Sequence, residues 1–241
     1  MNPPTRSVPS HDEAHNTGMA VRLNWLRAAV LGANDGVVSL AGLAVGIAGA
    51  TTSRTTILTV GVAGLFAGAL AMAAGEYVSV SSQRDSELAL LHLERRELAE
   101  SPEAELAELT ALYQTKGLSH DLAAEVAVQL TAHDAFAAHA EAELGIDPDT
   151  LTNPWHAAAA SFLAFTAGAL LPLLAILLPT AVRVPVTALV VAVCLIVTGY
   201  VGARLGKARP APAIARNVIG GALAMAVTYG IGTAIGTGGG A

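Results

Sequence analysis

The sequence predicts an all-α, polytopic membrane protein with five transmembrane helices and an acidic, cytosolic helical insert between the second and the third. Three observations predict it. Of 241 residues, 53% are hydrophobic and only 13% charged, with a mean hydropathy of +0.55, which is too apolar for an ordinary soluble domain. Five stretches are long and apolar enough to cross a bilayer, a task that takes about 20 residues of helix. Between the second and third of them lies the one long hydrophilic segment, Asp85 to Asp149, which holds 15 of the chain's 19 carboxylates against three cations, Arg95, Arg96 and Lys116. Its local charge of 3 minus 15, or −12, leaves it either solvated and disordered or gathering cations. Its helical patterning favours the second.

In chain order, residues 1–24 read as a polar tail containing Pro3, Pro4, His11, Asp12 and His15. They lack the positive start and short apolar core of a signal peptide, and a disordered cytosolic terminus is expected. Residues 25–82 hold the first two spans, roughly Ala28 to Ala50 and Ile57 to Ser79. Residues 83–153 form the acidic insert. Residues 154–241 hold the last three spans, roughly Ala157 to Leu178, Val184 to Ala203 and Val218 to Ile235. Pro172 and Pro179 predict a kink or an early end in the third, because each removes a backbone donor. Glycines four apart (Gly32 and Gly36, Gly42 and Gly46, Gly64 and Gly68, Gly232 and Gly236) allow close helix approach, within one chain or across a dimer.

Lysine and arginine near the span ends set orientation. One side would carry Arg6, Arg22, Arg27, Arg84, Arg95, Arg96, Lys116, Arg204, Lys207, Arg209 and Arg216, and the other only Arg54 and Arg183. That asymmetry places the N-terminus and the acidic insert in the cytosol. Arg outnumbers Lys 11 to 2, a bias of GC-rich bacterial genomes, so the expected location is a bacterial cytoplasmic membrane. The lone Cys194 sits in an apolar run and reads as a packing residue.

The insert reads as helices. The first continues unbroken from the second span to about Glu100. Ser101, Pro102 and Glu103 then supply an N-cap, a first-turn proline and a dipole-favoured acid. The following helix carries Leu106, Leu109, Leu112 and Tyr113 on one face and ends near Gly117. Ser119 caps another, with Leu122, Val126 and Leu130 facing inward, and Asp134 caps a last one that stops at Gly145.

Glu94 and Glu97, and likewise Glu105 and Glu108, are three residues apart, so each pair projects from one helix face. His139 and Glu143, four apart, form a third pair. Carboxylates with one imidazole suit Fe2+ or Mn2+, with Zn2+ also possible; the plain alternative is a solvated acidic face. Within the spans, Asp35 beside Asn34 and Glu76 one turn after Met72 are ionisable groups of a kind that is costly in hydrocarbon, about 2.5 to 3.5 kcal/mol for an Asp at mid-helix, and usually functional. The plain reading makes Asp35 a packing acid and Glu76 an interfacial one. Desolvation raises such an acid's pKa and a bound cation lowers it, which supplies a mechanism for metal–proton exchange.

The run LGANDGVVSLAGLAVG in the first span, GLFAGALAMAAGEYVSVSSQRD from Gly64 to Asp85, the acidic insert and ELGI at Glu143 resemble the vacuolar iron transporter family over about residues 22 to 236. The resemblance implies a homodimeric five-span exporter of Fe2+, and often Mn2+, that exchanges metal for protons along a path at the dimer interface. It places Asp35 and Met72 on that path and puts the metal-binding glutamates of the cytoplasmic domain at Glu94, Glu97, Glu105, Glu108 and Glu143. The pattern departs at Gly64, where plant members carry an acid, and here Glu76 supplies one a turn after Met72. Where plant domains use methionine near the last glutamate, this chain offers His139.

No prosthetic group is expected, and the expected partners are divalent metal ions, protons, the bilayer and a second copy. A membrane ferroxidase is disfavoured, since di-iron bundles use Glu-x-x-His pairs and no His lies three residues after any Glu. A metal-sensing or scaffold protein without transport would not need Asp35, Met72 and Glu76. No P-loop pattern appears, and a net charge of −6 argues against nucleic-acid binding.

Overall fold

The structure, a computed structural model, describes residues 18–238 and the side chains of residues 28–236. Residues 1–17 and 239–241 lie outside it, as do the side chains of Arg6, Arg22 and Arg27. The described chain is helical throughout, without strands: α1 (Gly18–Ala50), α2 (Arg54–Glu100), α3 (Pro102–Thr115), α4 (His120–His139), a π-helical turn (Ala140–Leu144), α5 (Pro154–Ile176), α6 (Thr180–Leu205) and α7 (Pro210–Gly238). α1 begins inside the segment expected to be tail, as no proline lies between Met19 and Ala50 to stop the helix.

Five of these helices are long and apolar enough to cross a membrane: Ala28–Ala50 of α1, α2, α5, α6 and Pro210–Gly236 of α7. α1 is the hub, packing on α5, α7, α6 and α2. It can be central because residues 28–50 are small or apolar apart from Asn34, Asp35 and Ser39. Its Leu40 joins Leu65, Ala69, Phe165, Ala169 and Leu173 between α2 and α5. Val37 and Ala41 meet Val191 and Leu195 of α6, and Ala44 and Val45 meet Ile57 and Ile176. On the outside, Leu58, Val62, Phe66 and Leu70 form an exposed apolar stripe along α2, which suits lipid or another helix rather than water.

Glycines let the backbones meet within this one chain. A Cβ on Gly36 would lie 2.1 Å from the Phe165 carbonyl oxygen, and one on Gly232 would lie 1.9 Å from that of Gly46. α5 runs on through Pro172 and ends at Ile176, and Pro179 takes the N-cap position of α6. The proline therefore does not terminate the third span. At that end of the bundle Arg183, only 4% exposed, donates to the Thr52 carbonyl and to Thr180 Oγ1, tying α6 to the α1–α2 turn.

α2 has 47 residues, about 70 Å at 1.5 Å per residue, against a hydrocarbon core about 30 Å thick. Its C-terminal half projects past the apolar bundle and carries α3, α4 and the π turn. The span and the insert thus share one continuous rod, with no break near residues 82 and 83. Ser101 and Ser119 occupy N-cap positions without side-chain cap bonds. The inward face of α4 is Ala123 and Ala127, fully buried, whereas Leu122 is 48% exposed and Val126 and Leu130 are half-buried. Methyl side chains let α4 lie close to its neighbours, and that proximity displaces the expected leucine face.

Candidate metal centre and membrane cavity

The candidate metal-ligand side chains of the insert converge because α4 is broken at one residue. Asp134 has extended backbone (φ −159°, ψ 96°) inside α4, and its Oδ1 accepts the Ala137 N–H, so it caps a new short helix. That arm continues through the π turn and stops at Gly145, whose φ of +64° lies in the left-handed region. His139 and Glu143 project from the arm toward α2 and α3.

There His139 Nδ1 lies 3.0 Å from Glu94 Oε1, 3.6 Å from Glu105 Oε2 and 3.7 Å from Glu143 Oε2. His139 is 0% exposed, Glu94 2% and Glu105 7%, while the Glu143 side chain is 30% exposed. Although the His139–Glu94 contact is short, it lacks hydrogen-bond alignment, and both His139 nitrogens and Glu94 Oε1 are buried without a hydrogen-bond partner. Four elements thus aim one imidazole and three carboxylates at a common point, and the donor atoms of Glu94, Glu105 and His139 lie within 4.8 Å of one another. Buried polar atoms left unpaired are costly. A divalent cation would satisfy His139 Nδ1 and Glu94 Oε1 together, and three oxygens with one nitrogen suit Fe2+, Mn2+ or Zn2+.

The electrostatics of the cluster favour a positive charge among these groups. Burial, reinforced by Glu143, Glu105, Glu97 and Glu108, pushes the Glu94 carboxyl up to about 7. Burial and then Glu108 raise Glu105 as well, with His139 opposing them. Glu97 and Glu108 are themselves exposed and stand at the rim.

A second constellation lies among the apolar helices. A cavity of about 290 Å³ between α1, α2 and α5 has Asp35, Ser39, Gly64, Gly68, Met72 and Phe165 in its wall. The Ser39 hydroxyl donates to Asp35 Oδ1 at 2.5 Å. The structure brings Asp35 and Met72 together here, but Glu76 is not among the lining residues. Gly64 faces Leu43, whose Cδ2 would lie 2.3 Å from a Cβ at that position. Ser39 was not singled out in the sequence, although its position four residues after Asp35 puts both on one helix face.

The model of a family described as "VIT family" matches residues 26–233. A protein of Acanthamoeba castellanii named "Vacuolar iron transporter" is 45% identical over 218 residues, covering 86% of this chain and 77% of the relative. "Vacuolar iron transporter homolog 5" of Oryza sativa subsp. japonica is 38% identical over 215 residues, with 88% and 81% covered. "Vacuolar iron transporter homolog 2.1" of Arabidopsis thaliana is 38% identical over 218 residues, with 90% and 84% covered.

Proposed function

This chain belongs to the VIT family, and on that premise we propose that it is an integral multi-pass membrane transporter that moves Fe2+, and also Mn2+, out of the cytosol in exchange for protons. The observation that carries the reading is the convergence of Glu94, Glu105, Glu143 and His139 on one point at the end of a helix that also enters the apolar bundle.

In this mechanism the insert captures metal from the cytosol. Glu97 and Glu108 at the rim attract the cation, and the inner carboxylates and His139 exchange hydration water for direct ligation. Ligands must be deprotonated to bind, so loading releases protons. Metal then enters the cavity, where Asp35 supplies charge, Ser39 a neutral oxygen and Met72 a soft sulfur. The thioether favours a transition metal over Mg2+ or Ca2+.

One carboxylate and one thioether per chain make a sparse site for a divalent ion. A homodimer that brings two copies of the cavity together would double the ligands, and the exposed stripe on α2 is apolar enough to serve as part of such a contact. Protons arriving from the far side neutralise Asp35 and release the metal there. Glu76, further along α2 toward the insert, serves at the cytosolic entrance.

Uptake of radioactive Mn2+ or Fe2+ into everted membrane vesicles tests the proposal. Uptake that depends on expression of the chain supports it, and uptake no greater than in vesicles lacking the chain overturns it.

A further inference from the structure

Arg95 is the nearest cation in sequence to the metal-ligand cluster, yet among the described residues it forms no ion pair with any of the carboxylates. Its guanidinium lies 4.1 Å from the centroid of the Phe136 ring. Phe136 sits on the arm that begins at the Asp134 break, three residues before His139 and therefore on the same side of that short helix. Neighbouring residues of α2 consequently grip neighbouring positions of the arm, with Glu94 meeting His139 and Arg95 meeting Phe136.

We propose that the Arg95–Phe136 contact is a clamp that positions His139 as the nitrogen ligand of the cytosolic metal centre. The inference rests on the reading of that cluster as a metal site, and it adds two residues that ligate nothing themselves. One contact would leave the arm free to turn about it, because the backbone is already broken at Asp134. Two contacts fix its rotation, and they bring the His139 Nδ1 to the carboxylates. The clamp also occupies a cation that would otherwise neutralise the site. A guanidinium over an aromatic face is held by the ring quadrupole, so Arg95 stays beside the cluster without filling it.

The clamp predicts an effect opposite in sign to simple electrostatics. Removing a positive charge beside a group of carboxylates should strengthen cation binding. If Arg95 is a positioning residue, Arg95→Gln weakens it instead.

The experiment uses the full chain in detergent, with Mn2+ as probe and two readouts: affinity, and the pulsed electron paramagnetic resonance coupling of Mn2+ to imidazole nitrogen. The expected result is nitrogen coupling in the unaltered protein, its loss in Phe136→Ala and in Arg95→Gln, a fall in Mn2+ affinity of about tenfold in both, about 1.4 kcal/mol, and restored coupling in Phe136→Trp. Nitrogen coupling that persists in Phe136→Ala and Arg95→Gln, or tighter Mn2+ binding by Arg95→Gln, overturns the clamp while leaving the metal site standing. Mn2+ binding without nitrogen coupling in the unaltered protein overturns it too, because His139 is then no ligand. Absence of Mn2+ binding in the unaltered protein removes the metal-site reading and the clamp with it. Arg95 is exposed, so its variant reports even where Phe136→Ala fails to fold.

Discussion

His139 Nδ1 and Glu94 Oε1 lie 3.0 Å apart on two different helices, both buried and neither with a hydrogen-bond partner. With the Glu105 and Glu143 carboxylates around them, these two atoms could ligate one divalent cation, which is the reading proposed for the insert.

Each of those ligands should therefore matter to binding. His139→Ala and Glu94→Gln are each expected to weaken Mn2+ or Fe2+ binding at least about tenfold, or 1.4 kcal/mol. The rim change Glu108→Gln should cost less, because its side chain is exposed. Titration calorimetry on the full chain checks the order, and equal effects at all three positions would refute it.

The pH dependence has a definite sign. Glu94 is raised from 4.5 to about 7, by burial first and then by its neighbouring carboxylates. An acid raised in the folded state contributes stability that is complete below its unfolded pKa and is lost as pH rises through its folded pKa. Metal-free protein should accordingly lose thermal stability between about pH 5 and about pH 8. Saturating Mn2+ should restore more stability at the upper end than at the lower, since protons compete with metal below 7. Glu94→Gln should flatten the slope, and melting curves across that range decide it.

Of the insert, the helix ends were legible in the sequence. Pro102, Asp134 and Gly145 each act through local backbone chemistry, and all three fall where their residue types place them. The meeting of Glu94, Glu105 and His139 was legible only as possible pairs, because the angles between helices are set by packing rather than by spacing. The π turn and the Arg95–Phe136 contact left no periodic signal at all. Leu122, Val126 and Leu130 have the spacing of a buried face, but Ala123 and Ala127 take it because small side chains allow closer packing.

In the apolar bundle, hydropathy located the five long helices, and the glycine spacing marked several of the close approaches but not that of Gly168, where a Cβ would lie 2.2 Å from the Ala33 carbonyl oxygen. Which helix each glycine meets was not legible. Gly36→Val should destabilise the fold by about 1 to 3 kcal/mol through overpacking, since even a Cβ there would lie 2.1 Å from the Phe165 carbonyl oxygen. Gly75→Ala, with nothing within 4 Å, should be close to neutral. Thermal unfolding in detergent, followed by labelling of the single Cys194, compares the two.

Arg183 offers a test at the opposite end of the bundle from the insert. It is buried and donates to the Thr52 carbonyl and Thr180 Oγ1. Hydrogen bonds from a charged group contribute about 1.5 to 3 kcal/mol. Arg183→Ala should lower the unfolding temperature without changing Mn2+ affinity at the insert, and a parallel loss of affinity would contradict that separation.

The most direct test of the whole is flux of Fe2+ and Mn2+ through purified protein in proteoliposomes, with and without an imposed pH gradient, beside Asp35→Asn. The expected result is flux that rises with the gradient and is abolished in the variant, because Asp35 is the carboxylate in the cavity wall. Flux that ignores the gradient, or that Asp35→Asn leaves intact, would contradict proton-coupled transport through that cavity.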